Sequence, residues 1–377
     1  MDFFVIFAHL PDPRMIKRIH MLAEMGNTGA MFWDRGVKCG QENSIGQGVK
    51  VVRFSDKGEE GNPLKRIWPT CLVIGKMVKE AKRLRPSCIY VSGYEAFLAA
   101  CLSTLGRKHK PYIIYEVCDL HYLLIEKQKR WFPWLVSHGL RFLERLMCKR
   151  AGMLVITSPP FYDVYYRSLF PKENVFFMPN MPDLKSFAGY RKKVGGIFTI
   201  GFIGAIRYIG QMKMMVDAAQ EAGIRVLIAG RGAQEQGMID YVKDKPHVTY
   251  DGAYVYEQDI AVLYGRVDCI YSVYDATDRN VRLALPNRLY EAVYCEIPLI
   301  VAKHTYLAQT VKKMGVGIAV EIGDKKELVE AMQKLSRDRS FYDRLVSHCV
   351  GQKATVDGLA YQERLQTKIR AGWKEKG

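Results

Sequence analysis

The strand-like run FTIGFIG (198–204) ends at Gly204 in a basic loop followed by an amphipathic stretch, and Arg207 and Lys213 lie six residues apart across that turn. A helix beginning there offers unpaired N–H groups and the positive end of its dipole, which suits phosphate. One guanidinium and one ammonium can clamp a diphosphate and stabilise the charge that develops as a bond to it breaks. Two plain surface charges on a loop and a first helical turn fit the same spacing. The second group lies in ALPNRLYEAVYCEIPLIVAK (284–303). Pro286 and Asn287 carry helix-start chemistry, Pro for the first turn and Asn for a cap. Arg288 and Glu291 then fall three apart on one face. Flanked by Leu289, Tyr290, Ala292 and Val293, Glu291 is set to face inward, where its carboxylate can accept two hydrogen bonds from a ribose. An exposed Arg–Glu pair is the plainer alternative.

Fingerprints of other chemistries are missing. GFIGAIRYIG and AGRGAQEQG both lack G-x-G-x-x-G spacing after a strand, and no G-x-x-x-x-G-K-[ST] occurs, so dinucleotide oxidoreductase and P-loop readings fall. The nine cysteines form no C-x-x-C pair, and several sit in apolar runs, such as Cys88 and Cys269. They read as small buried hydrophobes in a reducing compartment. With eight dispersed histidines and no H-x-x-x-H pair, no metal and no cofactor are expected.

The elements that must position these groups alternate along all 377 residues. Apolar runs at 3–8, 49–54, 88–93, 112–117, 153–158, 198–204, 225–230, 268–274 and 298–303 suit strands buried on both faces, as in a parallel sheet. Helical patterns lie between them at 14–25, 64–85, 123–150, 208–222, 257–265, 286–295 and 325–338. Such alternation signals α/β architecture of the doubly wound kind. The aperiodic 181–196, ending in Gly195-Gly196, reads as a linker. The expected division is a first domain at 1–183, a second at 184–352, and a segment 353–377 whose helical stretch, 356–374, packs back on the first. In open α/β sheets ligands bind beyond the carboxyl ends of the strands.

The motif L-P-N-[KR]-L-[YF]-E, followed by a short apolar helix and P-[LI]-I-V, resembles the second domain of family-4 glycosyltransferases. Three further places agree in order: DPRMIKRIHMLAEMGN (12–27), ENVFFMPNMPD (173–183) and IGFIGAIRYIGQMK (200–213). The resemblance implies the GT-B fold, two Rossmann-like domains facing a cleft, the first binding acceptor and the second nucleotide-sugar, with retaining glycosyl transfer. It implies Gly204, Arg207 and Lys213 at the donor diphosphate, Glu291 at the ribose, and Asn287 with Arg288 at the helix start beside the donor. In the first domain it points to Asp119 and His121 near the reacting sugar, the alternative for His121 being a packed or capping residue. Glu116, within a strand, reads as structural. His9 and Arg14 become candidates on the acceptor side. The family's Glu-x7-Glu pattern is broken, since Leu283 stands where its first Glu would be, and the loop before it supplies Asp275, Asp278, Asn280 and Arg282 instead. An acidic donor sugar such as a uronate follows if Arg282 faces it.

Charge adds a partner. The formal net charge is +17, of which +11 falls in residues 1–185. KQKRWFPWLVSHGLRFLERLMCKR (127–150) holds seven basic residues and one acidic. Arg141, Arg145 and Lys149 share one face, Leu135, Phe142, Leu143 and Leu146 another, and Trp131 and Trp134 flank Pro133. That is the make-up of an interfacial helix on anionic lipid. A domain helix with a packed apolar face and a solvated basic face is the alternative. Phe3–Leu10 is too short for a signal core, and no segment reaches 18 uninterrupted apolar residues. The expectation is therefore a cytoplasmic protein held peripherally at the inner face of the cell membrane. It would pass a sugar to a saccharide acceptor, lipid-linked, in surface polysaccharide or glycolipid synthesis. A sugar-nucleotide epimerase of similar two-domain shape is the second reading. A nucleic-acid-binding protein is third, since no recognised module accompanies the charge.

Overall fold

A computed structural model describes residues 2–34, 45, 46, 48–55, 63–126 and 128–374. It divides into two compact units, Met1–Pro179 with Leu359–Gly377, and Asn180–Gly358. In the first, β1 (Asp2–Phe7), β2 (Asn27–Trp33), β3 (Lys50–Phe54), β4 (Cys88–Ser92), β5 (Tyr112–Val117), β6 (Met153–Ile156) and β7 (Val175–Phe177) form one sheet. Its order is β3-β2-β1-β4-β5-β6-β7, and all neighbours run parallel. Val5 sits between Ala30 and Tyr90 in register, all three fully buried. Burial on both faces is why β1, β4, β5 and β6 read as unbroken apolar runs, whereas edge strand β3, expected to be buried, exposes Lys50, Val51 and Arg53. After β1, Asp12 and Pro13 start the Pro13–Ala23 helix, the Asp12 carboxylate accepting from the Met15 N–H at 2.8 Å.

The second unit repeats the plan with β8 (Thr199–Ile203), β9 (Arg225–Ala229), β10 (Val248–Gly252), β11 (Cys269–Ser272), β12 (Leu299–Ala302) and β13 (Gly317–Val320). The order is β10-β9-β8-β11-β12-β13, again parallel throughout. Strand order reverses between β1 and β4 in one sheet and between β8 and β11 in the other. The loops leaving those strands diverge there and open a crevice at the carboxyl edge.

Several expectations are corrected. The segment 181–196 is not a linker: it carries a 3-10 turn, Leu184–Phe187, and buried Phe187 packs edge-on against Tyr264 and Tyr294 at 5.7 and 5.6 Å. The chain accordingly passes from the first unit to the second at Pro179, before 183, and back at Leu359, after 353. The expected helix 123–150 is two, Tyr122–Ile125 and Trp131–Cys148. Pro133 falls in the first turn of the latter, where its missing N–H costs nothing, whereas mid-helix it would break a bond and clash with the preceding turn. The Tyr94–Ser103 helix, apolar on nearly every side, has no amphipathic period to find. The C-terminal Gly358–Lys374 helix buries Leu365 and Ile369 in the first unit's core beside Val5 and Tyr90. Cys71 is exposed and Cys118 half-buried rather than core, the other described cysteines being buried, and Cys39 lies outside the described residues.

Candidate functional site

In the second unit the site is built at the ends of β8 and β11. Gly204 takes φ +136°, and a Cβ there would collide with the Arg288 guanidinium. Gly230, φ +140°, passes so close that a Cβ would strike the Gly204 carbonyl. Only glycine permits both the backbone angles and the approach of these two loops. Arg288, on the Asn287–Tyr294 helix, is 7% exposed. Its Nε donates to the Ile203 carbonyl at 2.5 Å, and its Cζ lies 4.0 Å from the Phe202 ring centroid and 5.4 Å from that of Tyr274. Nη1 is buried with no hydrogen-bond partner among the described residues. A buried guanidinium with unspent donors is costly unless an anion completes it. The unspent donor lies at the strand end where ligands bind in open α/β sheets.

Glu291 does face inward, 4% exposed, but each of its oxygens already accepts a tyrosine hydroxyl, from Tyr256 and Tyr264, both at 2.7 Å. Burial and then the charge of Glu291 push the Tyr264 hydroxyl well up and the neighbouring Tyr254 hydroxyl to about 12. The carboxylate is thus fixed in orientation, each oxygen keeping a second lone pair for a further donor. The tyrosines come from 27 and 35 residues upstream, and no local spacing announces them.

Arg207 and Lys213 have separate surroundings. Arg207 is exposed on the loop, next to Tyr208, whose ring meets Tyr274 edge-on at 5.8 Å. Lys213 lies beyond the first turn of the Ile209–Ala222 helix, its Nζ 4.7 Å over the Tyr241 ring, beside a cluster in which Asp217 binds Tyr241 and Lys245. The first N–H of that helix is taken by Gln234 Oε1 at 2.8 Å. Asn287 does not cap: Pro286 flanks the helix, and the Asn287 amide oxygen accepts from Asn180 at 2.5 Å. In the loop 274–284, Asp278 caps the Arg279–Leu283 helix by accepting from Asn280 N–H at 2.8 Å. Arg282 Nη1 donates to the Ala276 and Thr277 carbonyls, Asn280 is half-buried, and Leu283 belongs to the same helix. These side chains shape the loop.

In the first unit, the loops after β1 and β5 and the start of the helix after β4 surround a cavity of about 640 Å³. His9, Arg14, Glu95, Asp119 and His121 line it together with Leu124, Leu140 and Leu143. His9 Nδ1–H donates to the Leu10 carbonyl at 2.7 Å. Arg14 pairs with Asp12 at 3.1 Å, and its buried Nε has no partner among the described residues. Burial opposes its charge, but the carboxylates of Asp12, Glu116 and Asp119 outweigh that and hold it protonated. Glu116 is structural: Arg18 grips it with two bonds of 3.1 Å, and Tyr90 donates at 2.5 Å.

His121 is the capping residue of the short Tyr122–Ile125 helix, Nδ1 accepting from Leu123 N–H at 3.3 Å. Burial lowers its pKa, with Glu95 opposing. A lowered pKa means the unfolded chain binds more protons, so the contribution of this cap is present above the ordinary histidine range and lost as pH falls through it. His121→Asn should keep the cap, whereas His121→Ala should lose about 1 kcal/mol. Turnover retained in Asn and lost in Ala would mark a cap alone; loss in both, with Asn folded, marks a role for the imidazole.

The Trp131–Cys148 helix is inside out. It buries Ser137, Glu144, Met147 and Cys148, while Trp131 (77%), Phe132, Trp134, Leu135, Phe142 (65%) and Leu146 are exposed. Glu144 explains this, its carboxylate accepting from Tyr115, Tyr165 and Tyr166 at 3.2, 2.8 and 2.7 Å. Burial raises its pKa, and the three hydroxyls counter that. Arg145 and Lys149 are exposed, but Arg141 is half-buried and donates to the Glu126 carbonyl at 3.3 Å, so it leaves the expected basic stripe. Lys127 lies outside the described residues. Sequence reading missed a second patch: Ile67, Trp68 (71%) and Leu72 on the Pro63–Leu84 helix are also exposed. Among the described residues no helix is long and apolar enough to span a membrane, and no three His, Cys, Asp or Glu side chains gather as a metal site.

Residues 197–338, which hold the β8 loop, Arg288 and Glu291, match the family described as Glycosyl transferases group 1; the second unit carries that domain. The two parallel sheets with flanking helices are the two Rossmann-like domains of GT-B glycosyltransferases. Among curated proteins, the succinoglycan biosynthesis protein ExoL of Rhizobium meliloti (strain 1021) is 26% identical over 239 residues, 59% of this chain and 58% of that protein. The match thus spans less than two thirds of ExoL. Sucrose-phosphate synthase from Thermosynechococcus elongatus superposes with a TM-score of 0.71 at 13% identity, over 98% of each chain. HepE from Anabaena, in complex with UDP-glucose, gives 0.70 at 14% identity, over 98% of this chain and 99% of its own.

Proposed function

We propose that the protein is a retaining glycosyltransferase that moves a sugar from a nucleotide-sugar to a lipid-linked saccharide at the cytoplasmic face of a membrane, in surface polysaccharide or glycolipid synthesis. The observation that carries the reading is the buried Arg288 with its unspent Nη1 at the β8 edge, inside a glycosyl transferases group 1 domain. A donor diphosphate completes that guanidinium. Glu291, held by two tyrosines, takes ribose hydroxyls on its remaining lone pairs. As the bond from the anomeric carbon to phosphate breaks, negative charge grows on the diphosphate, and a pre-aimed cation stabilises it most in the transition state. The acceptor hydroxyl forms the new bond on the same face, and its proton passes to the departing phosphate oxygen. HepE is described with UDP-glucose, which makes UDP-sugars the first donors to test. Incubated with a UDP-sugar panel and a lipid extract containing acceptors, the protein should release UDP and label lipid; UDP release unaccompanied by transfer, or none with any donor, overturns the reading.

Membrane association rests on the outward Trp131, Trp134, Phe142 and Leu146 with Arg145 and Lys149 beside them. Large exposed apolar patches on a domain mark interaction surfaces, and cations at their rim favour anionic lipid. Trp131→Ser with Trp134→Ser and Phe142→Ser should reduce co-sedimentation with phosphatidylglycerol vesicles at least tenfold. Unchanged sedimentation removes the membrane from the proposal.

A further inference from the structure

Tyr208 sits where its residue type fits badly. It precedes the Ile209–Ala222 helix with φ 56° and ψ 52°, left-handed backbone that a bulky side chain adopts only at a cost. It occupies the N-cap position, yet its side chain makes no capping hydrogen bond, and the Ile209 N–H is taken by Gln234 instead. Asn or Gly would accept those angles and suit the cap better. What the tyrosine does have is a ring contact with Tyr274, edge-on at 5.8 Å and 71°. Tyr274 in turn lies against the Arg288 guanidinium, 5.4 Å from Cζ, which is also 4.0 Å from Phe202. Among the described residues that guanidinium makes one hydrogen bond, from Nε to the Ile203 carbonyl, and Nη1 has no partner. A single bond leaves the group free to swing about it, and the rings restrain that motion. Tyr208 follows β8 and Tyr274 follows β11, so their contact joins the two loops where strand order reverses.

We propose that Tyr208 is a positioning residue for the donor diphosphate: its ring braces Tyr274 against Arg288 and keeps Nη1 presented to the anion. The strained backbone is then a cost tied to function, as such outliers at ligand sites commonly are. The proposal rests on the donor-site reading of Arg288 and adds the residue that holds its guanidinium in place. The brace is neutral, since burial and then Asp278 push the Tyr208 hydroxyl up and keep it protonated. It needs the ring and not the hydroxyl.

The test is calorimetric titration of the full chain with UDP and, separately, with inorganic pyrophosphate. Tyr208→Asn removes the ring and should weaken both about fivefold, the scale of one aromatic pair. Its melting temperature should not fall, because Asn suits both the angles and the cap. Tyr208→Phe should bind as the parent does. In an Arg288→Met background, Tyr208→Asn should have no further effect on either ligand. Unchanged binding by Tyr208→Asn overturns the proposal. So does an equal loss in the Arg288→Met background, which would mean that Tyr208 does not act through Arg288. A loss in Tyr208→Phe as large as in Tyr208→Asn also overturns it, since the hydroxyl would then meet the ligand itself. Should Tyr208→Asn melt lower, Tyr208→Gly, free at these angles, repeats the comparison. A protein that binds pyrophosphate through Tyr208 and Arg288 but moves no sugar would instead sink the glycosyltransferase reading and leave the brace standing.

Discussion

Arg288→Met should lower kcat/KM for the nucleotide-sugar by about 10²-fold, the scale of losing one pre-aimed donor to a developing oxyanion. Met keeps most of the stack on Phe202 and Tyr274 but removes every N–H, including the Nη1 that has no partner. Arg288→Lys keeps the charge without the planar fork, so it should fall between the two. UDP affinity, measured by calorimetry, should drop in the same order. Without ligand the outcome differs: the guanidinium has no carboxylate within ion-pair distance among the described residues, so removing it also removes a desolvation cost. The lost bond to Ile203 and the relieved cation offset one another, and the melting temperature should move by no more than about 3 °C. A variant that binds UDP as the parent does would dismiss Arg288 from the site. One that melts far lower would make it a structural residue.

The same contrast between local and distant causes explains what the amino-acid sequence could show. Strands such as β1, β4, β5, β8, β9 and β12 are buried on both faces and appear as unbroken apolar runs. β13, GIAV, is four residues long, begins with Gly and is mostly half-buried, so nothing local distinguishes it. The inward aim of Glu291 follows from its apolar neighbours on one helix. Its clamp by Tyr256 and Tyr264 is tertiary, and so is the contact of Lys213 with Tyr241. In the Trp131–Cys148 helix the composition and the outward aromatic and apolar side were both legible, as the interfacial reading expects, whereas the buried partners of Glu144 were not. Which side goes inward is decided by one carboxylate, Glu144, because three tyrosine hydroxyls on other elements satisfy it there. A buried acid is tolerated only with donors, and Tyr115, Tyr165 and Tyr166 supply them here.

Glu116→Gln should have the largest effect on stability, about 3–5 kcal/mol, because it strands the buried Arg18 guanidinium. Arg18 is 2% and Glu116 1% exposed, so water cannot replace the lost charge. The Tyr90 hydroxyl also loses its charged acceptor. For a chain of this size the melting temperature of the first unit should fall by roughly 10 °C. Arg18→Met alone should cost a similar amount for the mirror-image reason. The double variant Arg18→Met with Glu116→Leu removes both charges and should cost well under the sum, a coupling that a double-mutant cycle on urea midpoints measures. Additive losses would show that the two side chains do not act as a pair. The pair ties the Pro13–Ala23 helix, which carries Arg14, to β5, which leads directly into Cys118, Asp119 and His121. It thereby positions several residues that line the cavity. Below its melting transition, Glu116→Gln should leave UDP binding by the second unit intact, since Arg288 and Glu291 lie in the other unit.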